Sequence, residues 1–200
     1  MGTLAARYFT LIIIRGVFRF LMINEQGQLV EIPAVSPLYS QTIPADLPLK
    51  EKLYASAKPY AYSLFDGFLV GAHSGFRNFR LGQRKGISVG GKDQPLYVIG
   101  IDEQENRVFV GEGSGHPGLW TEVLAFGPLN PGFDAFKNIQ TDSALQVSVS
   151  SNSLQKAVQA QLYIFPDVLF LQGQTLFPLT MRDENVTVFY QDKIYTLDKK

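Results

Sequence analysis

The sequence predicts a mainly β, α+β chain: a small central β-rich domain followed by a small antiparallel β-barrel. Three observations carry this expectation. Leu96–Asp102 and Arg107–Glu112 are apolar runs joined by Glu103-Gln104-Glu105-Asn106, the length of a tight hairpin loop. Leu145, Val147 and Val149 alternate with Gln146, Ser148 and Ser150, the period of a half-buried strand. Short apolar runs then recur at Val158–Phe165, Val168–Leu171 and Thr175–Leu179, and Val186–Tyr190 and Lys193–Leu197 flank Gln191-Asp192 as a final hairpin. Periodicity is lost near residues 127–143. A central domain with an irregular N-terminal segment is therefore expected at 1–130 and the barrel at 140–200.

The N-terminal segment opens on an apolar stretch, Arg7–Ile23, interrupted by Arg15 and Arg19. The β-branched run Ile12–Ile14 favours a strand, with a short helix over Val17–Ile23. Arg15 and Arg19 share a face in either geometry. Asn24–Gln28 reads as a turn, and the four prolines between Pro33 and Pro48 make an extended surface segment. Asp46 is placed to cap a helix over Leu49–Ala57, which Lys58-Pro59 stops. Tyr62–Leu69 is apolar, and glycines at 71, 75, 82, 86, 90 and 91 punctuate the chain beyond it. His116-Pro117-Gly118 breaks the chain, and Thr121–Phe126 is open between helix and strand.

Composition removes several function classes. The chain has 200 residues, 46 % hydrophobic and 18 % charged, enough apolar content to bury a core. Eighteen basic residues balance eighteen acidic ones, which excludes a polycation or a charged tail protein but not a local basic patch. Cysteine is absent, so this chain carries no disulfide, thiolate metal site, cysteine nucleophile or persulfide. Arg15 and Arg19 keep Tyr8–Ile23 short of the roughly 20 apolar residues of a membrane span. A cytoplasmic, soluble protein is expected, with no membrane partner.

Few residues suggest chemistry of their own. His73 and His116 lie far apart, without histidine or cysteine at ligand spacing, and read as turn or surface histidines; no metal and no cofactor is expected. No Gly-x-Ser-x-Gly elbow occurs, and Asp102, Glu103 and Glu105 read as a solvated turn. Gly86–Asp93 fits a phosphate loop except at its last position, where Asp93 replaces the magnesium-binding hydroxyl. Its flanks, Arg84-Lys85 and Gln94-Pro95, are also not the strand and helix such a loop needs. The strongest signal is a basic cluster without acidic residues, formed by Arg77, Arg80, Arg84, Lys85 and Lys92. Phe76 and Phe79 interleave it, and Gly82, Gly86, Gly90 and Gly91 permit close backbone approach. Guanidinium groups fork onto phosphates and aromatics stack on unpaired bases. The alternative is a solvated loop whose arginines pair with Glu103, Glu105 or Glu112.

Between Asp66 and Trp120 stand, in this order, Gly71-Ala72-His73-Ser74-Gly75, Gly82-Gln83-Arg84-Lys85-Gly86, the pair Gly90-Gly91, Leu96–Gly100, Asn106–Gly113 and His116-Pro117. The stretch they mark resembles the central domain of the bacterial tRNA 2-thiouridylases. Arg15–Leu21 resembles the short helix entering that domain, and Val186–Leu197 the closing hairpin of the family's C-terminal β-barrel. The resemblance implies the last two of the family's three domains, without the N-terminal ATP-pyrophosphatase domain. No Ser-Gly-Gly-x-Asp-Ser pyrophosphate loop occurs, and the family's second catalytic cysteine would fall in the apolar Ile12–Ile14. The family's basic barrel strand corresponds to the neutral Val147–Asn152, and its glycine-rich last strand to Lys193–Lys200.

The expected function is a catalytically inert, tRNA-binding or accessory module, acting beside a separate ATP-pyrophosphatase subunit or another protein. Arg77, Arg80, Gln83, Arg84, Lys85 and Lys92 would contact tRNA, with Gly82, Gly86, Gly90, Gly91, His73 and His116 shaping the motif. A second reading is a protein-interaction scaffold that kept the fold and lost RNA. A third is a small-molecule enzyme using His73 or His116.

Overall fold

The computed structural model describes residues 26–130, 132–136, 139 and 144–198 in full, and the backbone alone of 9–14, 17–22 and 131. Strands β1 (Phe9–Ile14) and β2 (Val17–Met22) form an antiparallel hairpin in which Phe9 faces Met22 and Ile14 faces Val17. The short helix expected over Val17–Ile23, and again by resemblance over Arg15–Leu21, is therefore a strand across 17–22. A strand of β-branched residues next to an apolar segment continues as a ladder more readily than it hands over to a helix. Arg15 and Ile23 lie outside the described residues, as do the side chains that would test the shared face of Arg15 and Arg19.

Strand β3 (Gly27–Glu31) is followed by the proline-rich stretch, which makes a 3-10 turn at Pro37–Ser40 with Ser36 Oγ accepting from the Leu38 N–H. Helix α1 (Leu49–Ala57) spans the expected range, but Pro48 stands at its N-cap and no side chain caps it. Asp46 does not take the capping role, because it precedes the cap by two residues.

A four-stranded sheet comes next, in the order β4 (Phe68–His73), β3, β6 (Arg107–Glu112), β5 (Leu96–Asp102). Its β5–β6 pair is the hairpin expected from the sequence, and β3 runs parallel to β6 between the two antiparallel edges. Both faces are covered. Leu29, Leu96, Val98, Val108 and Val110 pack beneath Phe76, Phe79, Leu81, Ile87 and Val89. Val30, Ile32, Ile99 and Phe109 pack under Tyr39, Tyr62, Leu64 and Leu119. Two buried faces explain why Arg107–Glu112 shows a continuous apolar run and not an alternating one.

The second sheet has six strands, ordered β12 (Lys193–Leu197), β11 (Val186–Tyr190), β8 (Leu145–Ser150), β9 (Val158–Phe165), β10 (Val168–Pro178), β7 (Trp120–Phe126). Thr121–Phe126, open between helix and strand in the sequence, is strand β7; it precedes the 127–143 stretch yet pairs with β10. The runs Val168–Leu171 and Thr175–Leu179 merge into β10, whose pairing with β7 is irregular between Gln172 and Phe177. Leu169 and Leu171 face the main core, whereas Val168 and Phe170 face α1 through Leu53 and Ala57.

This sheet is open where a closed barrel was expected. No pairing joins β7 to β12 among the described residues. The segment after β7 stands against β12 instead: Asn130 bonds the backbone of Asp198, and Gly132 lies so close to the Thr196 carbonyl that no Cβ would fit. That segment delivers Phe133 and Phe136 to the core, filling space by side chains that a barrel closes by hydrogen bonds.

A buried polar group braces each sheet's surroundings. In the 3-10 turn Leu179–Asp183, the Arg182 guanidinium donates to the Ala57 carbonyl at 2.6 Å and to Thr121 Oγ1 at 2.9 Å. Beside the four-stranded sheet His116 is buried. Its Nε2–H donates to the Ile32 carbonyl at 2.9 Å, its Nδ1 accepts from the Gly118 N–H at 3.1 Å, and the Tyr39 ring meets it edge-on. The ring rests on Gly111 of β6, where an added Cβ would come within 2.5 Å of it. Gly111→Ala is expected to destabilise the fold by about 1–3 kcal/mol through overpacking, read as a lower urea midpoint.

Burial lowers the pKa of His116 and of His73 below the ordinary 6.5. The unfolded chain then binds protons that the folded chain refuses, so stability is full above about pH 6.5 and falls as pH drops below it. The slope is at most about 1.4 kcal/mol per pH unit for each histidine. Urea unfolding at neutral and mildly acidic pH is expected to show this loss, and His116→Gln is expected to flatten it.

Candidate nucleic-acid interface

The basic cluster lies on the long connection between β4 and β5. This connection is a cover over the sheet, because its apolar residues Phe76, Phe79, Leu81, Ile87 and Val89 point down onto the β-strand core. Phe79 is buried and Phe76 half-buried, so the aromatics expected to meet a base are packing groups. The cations between them point the other way. Arg77, Arg80, Arg84 and Lys85 are exposed, and none makes an ion pair among the described residues. The Arg77 guanidinium lies 5.7 Å from the Phe76 ring centre, a cation–π distance that leaves its donors outward.

Backbone bonds hold the loop in place. The Gly82 N–H donates to the Val98 carbonyl at 2.8 Å, and the Val98 N–H donates to the Gln83 carbonyl at 2.9 Å, so the loop extends the ladder at the outer edge of β5. Gly82 has φ +74°, and an added Cβ would reach Thr180 Cγ2 at 2.5 Å, so a larger residue there is both strained and crowded. Gly86 and Gly91 also take positive φ, whereas Gly90 does not and has open space around it.

Two residues of the expected contact set are engaged inside the protein. Gln83 Oε1 accepts from the Arg80 N–H at 3.0 Å and its Nε2 donates to the Lys85 carbonyl at 2.8 Å, so the side chain braces the turn that presents Arg84 and Lys85. Lys92 forms an ion pair with Glu31 at the end of β3, which raises its pKa. Of the three acidic partners considered for the arginines, two are occupied elsewhere: Glu105 pairs with Arg107 at 3.3 Å, and Glu112 accepts from the Gln94 N–H at 2.8 Å; Glu103 makes no ion pair with them among the described residues. Nothing in the sequence pointed to Glu31, because it pairs across the sheet with a residue some sixty positions away.

His73 ends β4 with its Nδ1 accepting from the Gly75 N–H at 3.1 Å and its ring edge-on to Phe79. Both histidines thus cap turns. Among the described residues no group of three His, Asp or Glu is placed to hold a metal ion. The phosphate-loop lookalike at Gly86–Asp93 has neither a strand directly before it nor a helix after it. No helix among the described residues is long and apolar enough to cross a membrane.

Comparison with known sequences converges on the same segment. Residues 50–112, from α1 through β6, match the family described as "tRNA methyl transferase PRC-barrel domain". The chain is 39 % identical over 104 residues to a tRNA-specific 2-thiouridylase MnmA of Christiangramia forsetii, covering 50 % of this chain and 26 % of that protein. The corresponding protein of Flavobacterium johnsoniae is 37 % identical over 103 residues, 52 % of this chain and 26 % of its own length. That of Karelsulcia muelleri is 31 % identical over 140 residues, 70 % of this chain and 34 % of its own. The chain thus spans about a fifth to a third of the length of the curated relatives it matches. Over its central region, which carries the basic loop, the chain is thus similar to tRNA-specific 2-thiouridylases.

Proposed function

We propose that the chain is a non-catalytic tRNA-binding or accessory module related to the tRNA 2-thiouridylases, contacting RNA through Arg77, Arg80, Arg84 and Lys85. The observation that carries this reading is the arrangement of those four cations. They stand exposed on a braced loop with no carboxylate partner among the described residues, in a segment shared with proteins named for action on tRNA. A loop already ordered in the free protein loses little conformational entropy on binding, so its contacts convert more fully into affinity. Phosphate is the fitting target, because four spaced cations match a charged backbone and the neighbouring rings are packed inward. Gln83 and Lys92 serve the interface from behind by holding the loop. With no cysteine in the chain, sulfur and adenylation chemistry would come from a separate ATP-pyrophosphatase subunit, in the cytoplasm.

The scaffold reading has one observation of its own: Phe65 just before β4, and Phe68 and Leu69 within it, are each exposed. A partner protein retained stoichiometrically at high salt, with no RNA bound at low salt, would favour it.

The test is titration of tRNA at about 50 and 200 mM salt. Affinity is expected to fall steeply with salt, and Arg84→Ala with Lys85→Ala is expected to lower the log–log slope by about one for each cation, with the thermal midpoint unchanged. Lys92→Ala is expected to leave the slope nearly intact, since its ammonium is already paired. Equal binding by wild type and the double variant would overturn the assignment.

A further inference from the structure

The basic loop covers one face of the four-stranded sheet, and an open cavity of about 480 Å³ lies against the other. Tyr60, Tyr62, Gly100 and Phe109 line it, together with Asp102 at the end of β5 and Glu103 in the turn that follows. Its rings are set in advance. The Tyr62 ring rests on Gly100, where an added Cβ would come within 2.7 Å of it, and its centre is 5.4 Å from that of Phe109. Its hydroxyl is hydrogen-bonded to the Tyr39 hydroxyl at 3.0 Å. Tyr60 stands edge-on to the same Tyr39, 4.9 Å between centres, and keeps 42 % of its surface exposed. The charge on the cavity wall is of one sign. No lysine, arginine or histidine lines it, and neither Asp102 nor Glu103 makes an ion pair among the described residues. Arg107, opposite Asp102 in the ladder, turns to Gln28 and Glu105 instead.

We propose that this cavity binds an organic cation, an alkylammonium or guanidinium group carried on an aliphatic chain. A cation within about 6 Å of a ring centre is drawn to the negative face of the ring, and the rings also shed water against its aliphatic chain. Asp102 and Glu103 supply the opposite charge. One Asp102 oxygen accepts from the Gln104 and Glu105 N–H groups at 3.0 and 3.1 Å, which fixes that carboxylate, whereas Glu103 is exposed and free to swing toward the guest. Near the Tyr60 hydroxyl, Glu122 and Arg182 act with opposite sign and offset one another. A bare divalent metal fits poorly, because such ions take roughly six to eight oxygen ligands. No group of three His, Asp or Glu is placed to hold one among the described residues. A phosphate fits no better beside two carboxylates. Tyr39 holds both tyrosines before the guest arrives, so little side-chain entropy is lost on binding. The site lies on the sheet face opposite the loop, and nothing in it rests on RNA binding.

The experiment is titration of the full chain, without RNA, with diaminobutane, with butanediol as its neutral counterpart, and with a capped dipeptide containing one arginine, followed by amide NMR shifts. Diaminobutane or the dipeptide is expected to bind with a dissociation constant on the order of a millimolar or below, and butanediol at least about tenfold more weakly. Shifts are expected at Tyr62, Gly100, Ile101 and Gln104, with the 76–92 loop unmoved. Tyr60→Leu and Glu103→Gln are each expected to weaken the cation about threefold or more, while Asp192→Asn, a charge removed from the distant last hairpin, leaves it unchanged. Tyr60 and Glu103 are both exposed, so these variants are expected to fold. Tighter binding of the dipeptide assigns the site to a protein side chain, and tighter binding of diaminobutane to a free amine; either supports the proposal. Absence of binding by both cations overturns it. So does equal binding of butanediol, or an affinity that Asp192→Asn lowers as much as Glu103→Gln.

Discussion

Two backbone hydrogen bonds at Val98 hold the glycine-rich connection on the edge of the four-stranded sheet, and the arrangement of charge on this protein depends on them. With Gly82 and Gln83 pinned there, Phe79, Leu81 and Ile87 turn down onto Val98, Val108 and Val110, and Arg80, Arg84 and Lys85 are left no direction but outward. The same face cannot serve both purposes. A basic loop that packed its cations would bury unpaired charge, and one that exposed its aromatics would uncover the sheet. Gln83 makes the arrangement stiff by bonding the backbone on both sides of itself.

Net neutrality therefore conceals segregation. Glu31 is engaged with Lys92, Glu105 with Arg107 and Glu112 with the Gln94 amide, and no carboxylate pairs with Arg77, Arg80, Arg84 or Lys85 among the described residues. The surviving cations lie on one element. A loop of this kind can bind an anion without rearranging, because ordering and desolvation of its apolar residues have already happened in folding. The interior is held by a different kind of contact. His116 links Ile32, Gly118, Tyr39 and Gly111, and Arg182 links α1 to β7.

Much of the fold was legible in the residues themselves. The hairpin at 96–112, the alternating strand at 145–150 and the last hairpin, with Gln191 and Asp192 both at positive φ, arise from local pattern, which is what sequence reports best. The helix at 49–57 was legible too, but not its cap. Strand against helix at Val17–Met22 and Thr121–Phe126 was settled by which strand lay alongside, a non-local matter. Closure of the barrel failed for a similar reason, because only the packing of Asn130, Gly132, Phe133 and Phe136 shows that a loop occupies the place of a closing ladder.

The sequence by itself determined the β-rich class, the absence of cysteine chemistry, the five cations between Arg77 and Lys92 with no acidic residue among them, and the likeness to the tRNA 2-thiouridylases. These are properties of residue type and spacing, and folding does not alter them. Only the tertiary structure decided which of those cations are free, that Phe76 and Phe79 are packing groups, and that β4 pairs with β3 through a bulge at Val70. Each of those depends on partners far away in the chain, Glu31 for Lys92, Val98 for the loop and β3 for β4, and no local pattern encodes a partner that distance supplies.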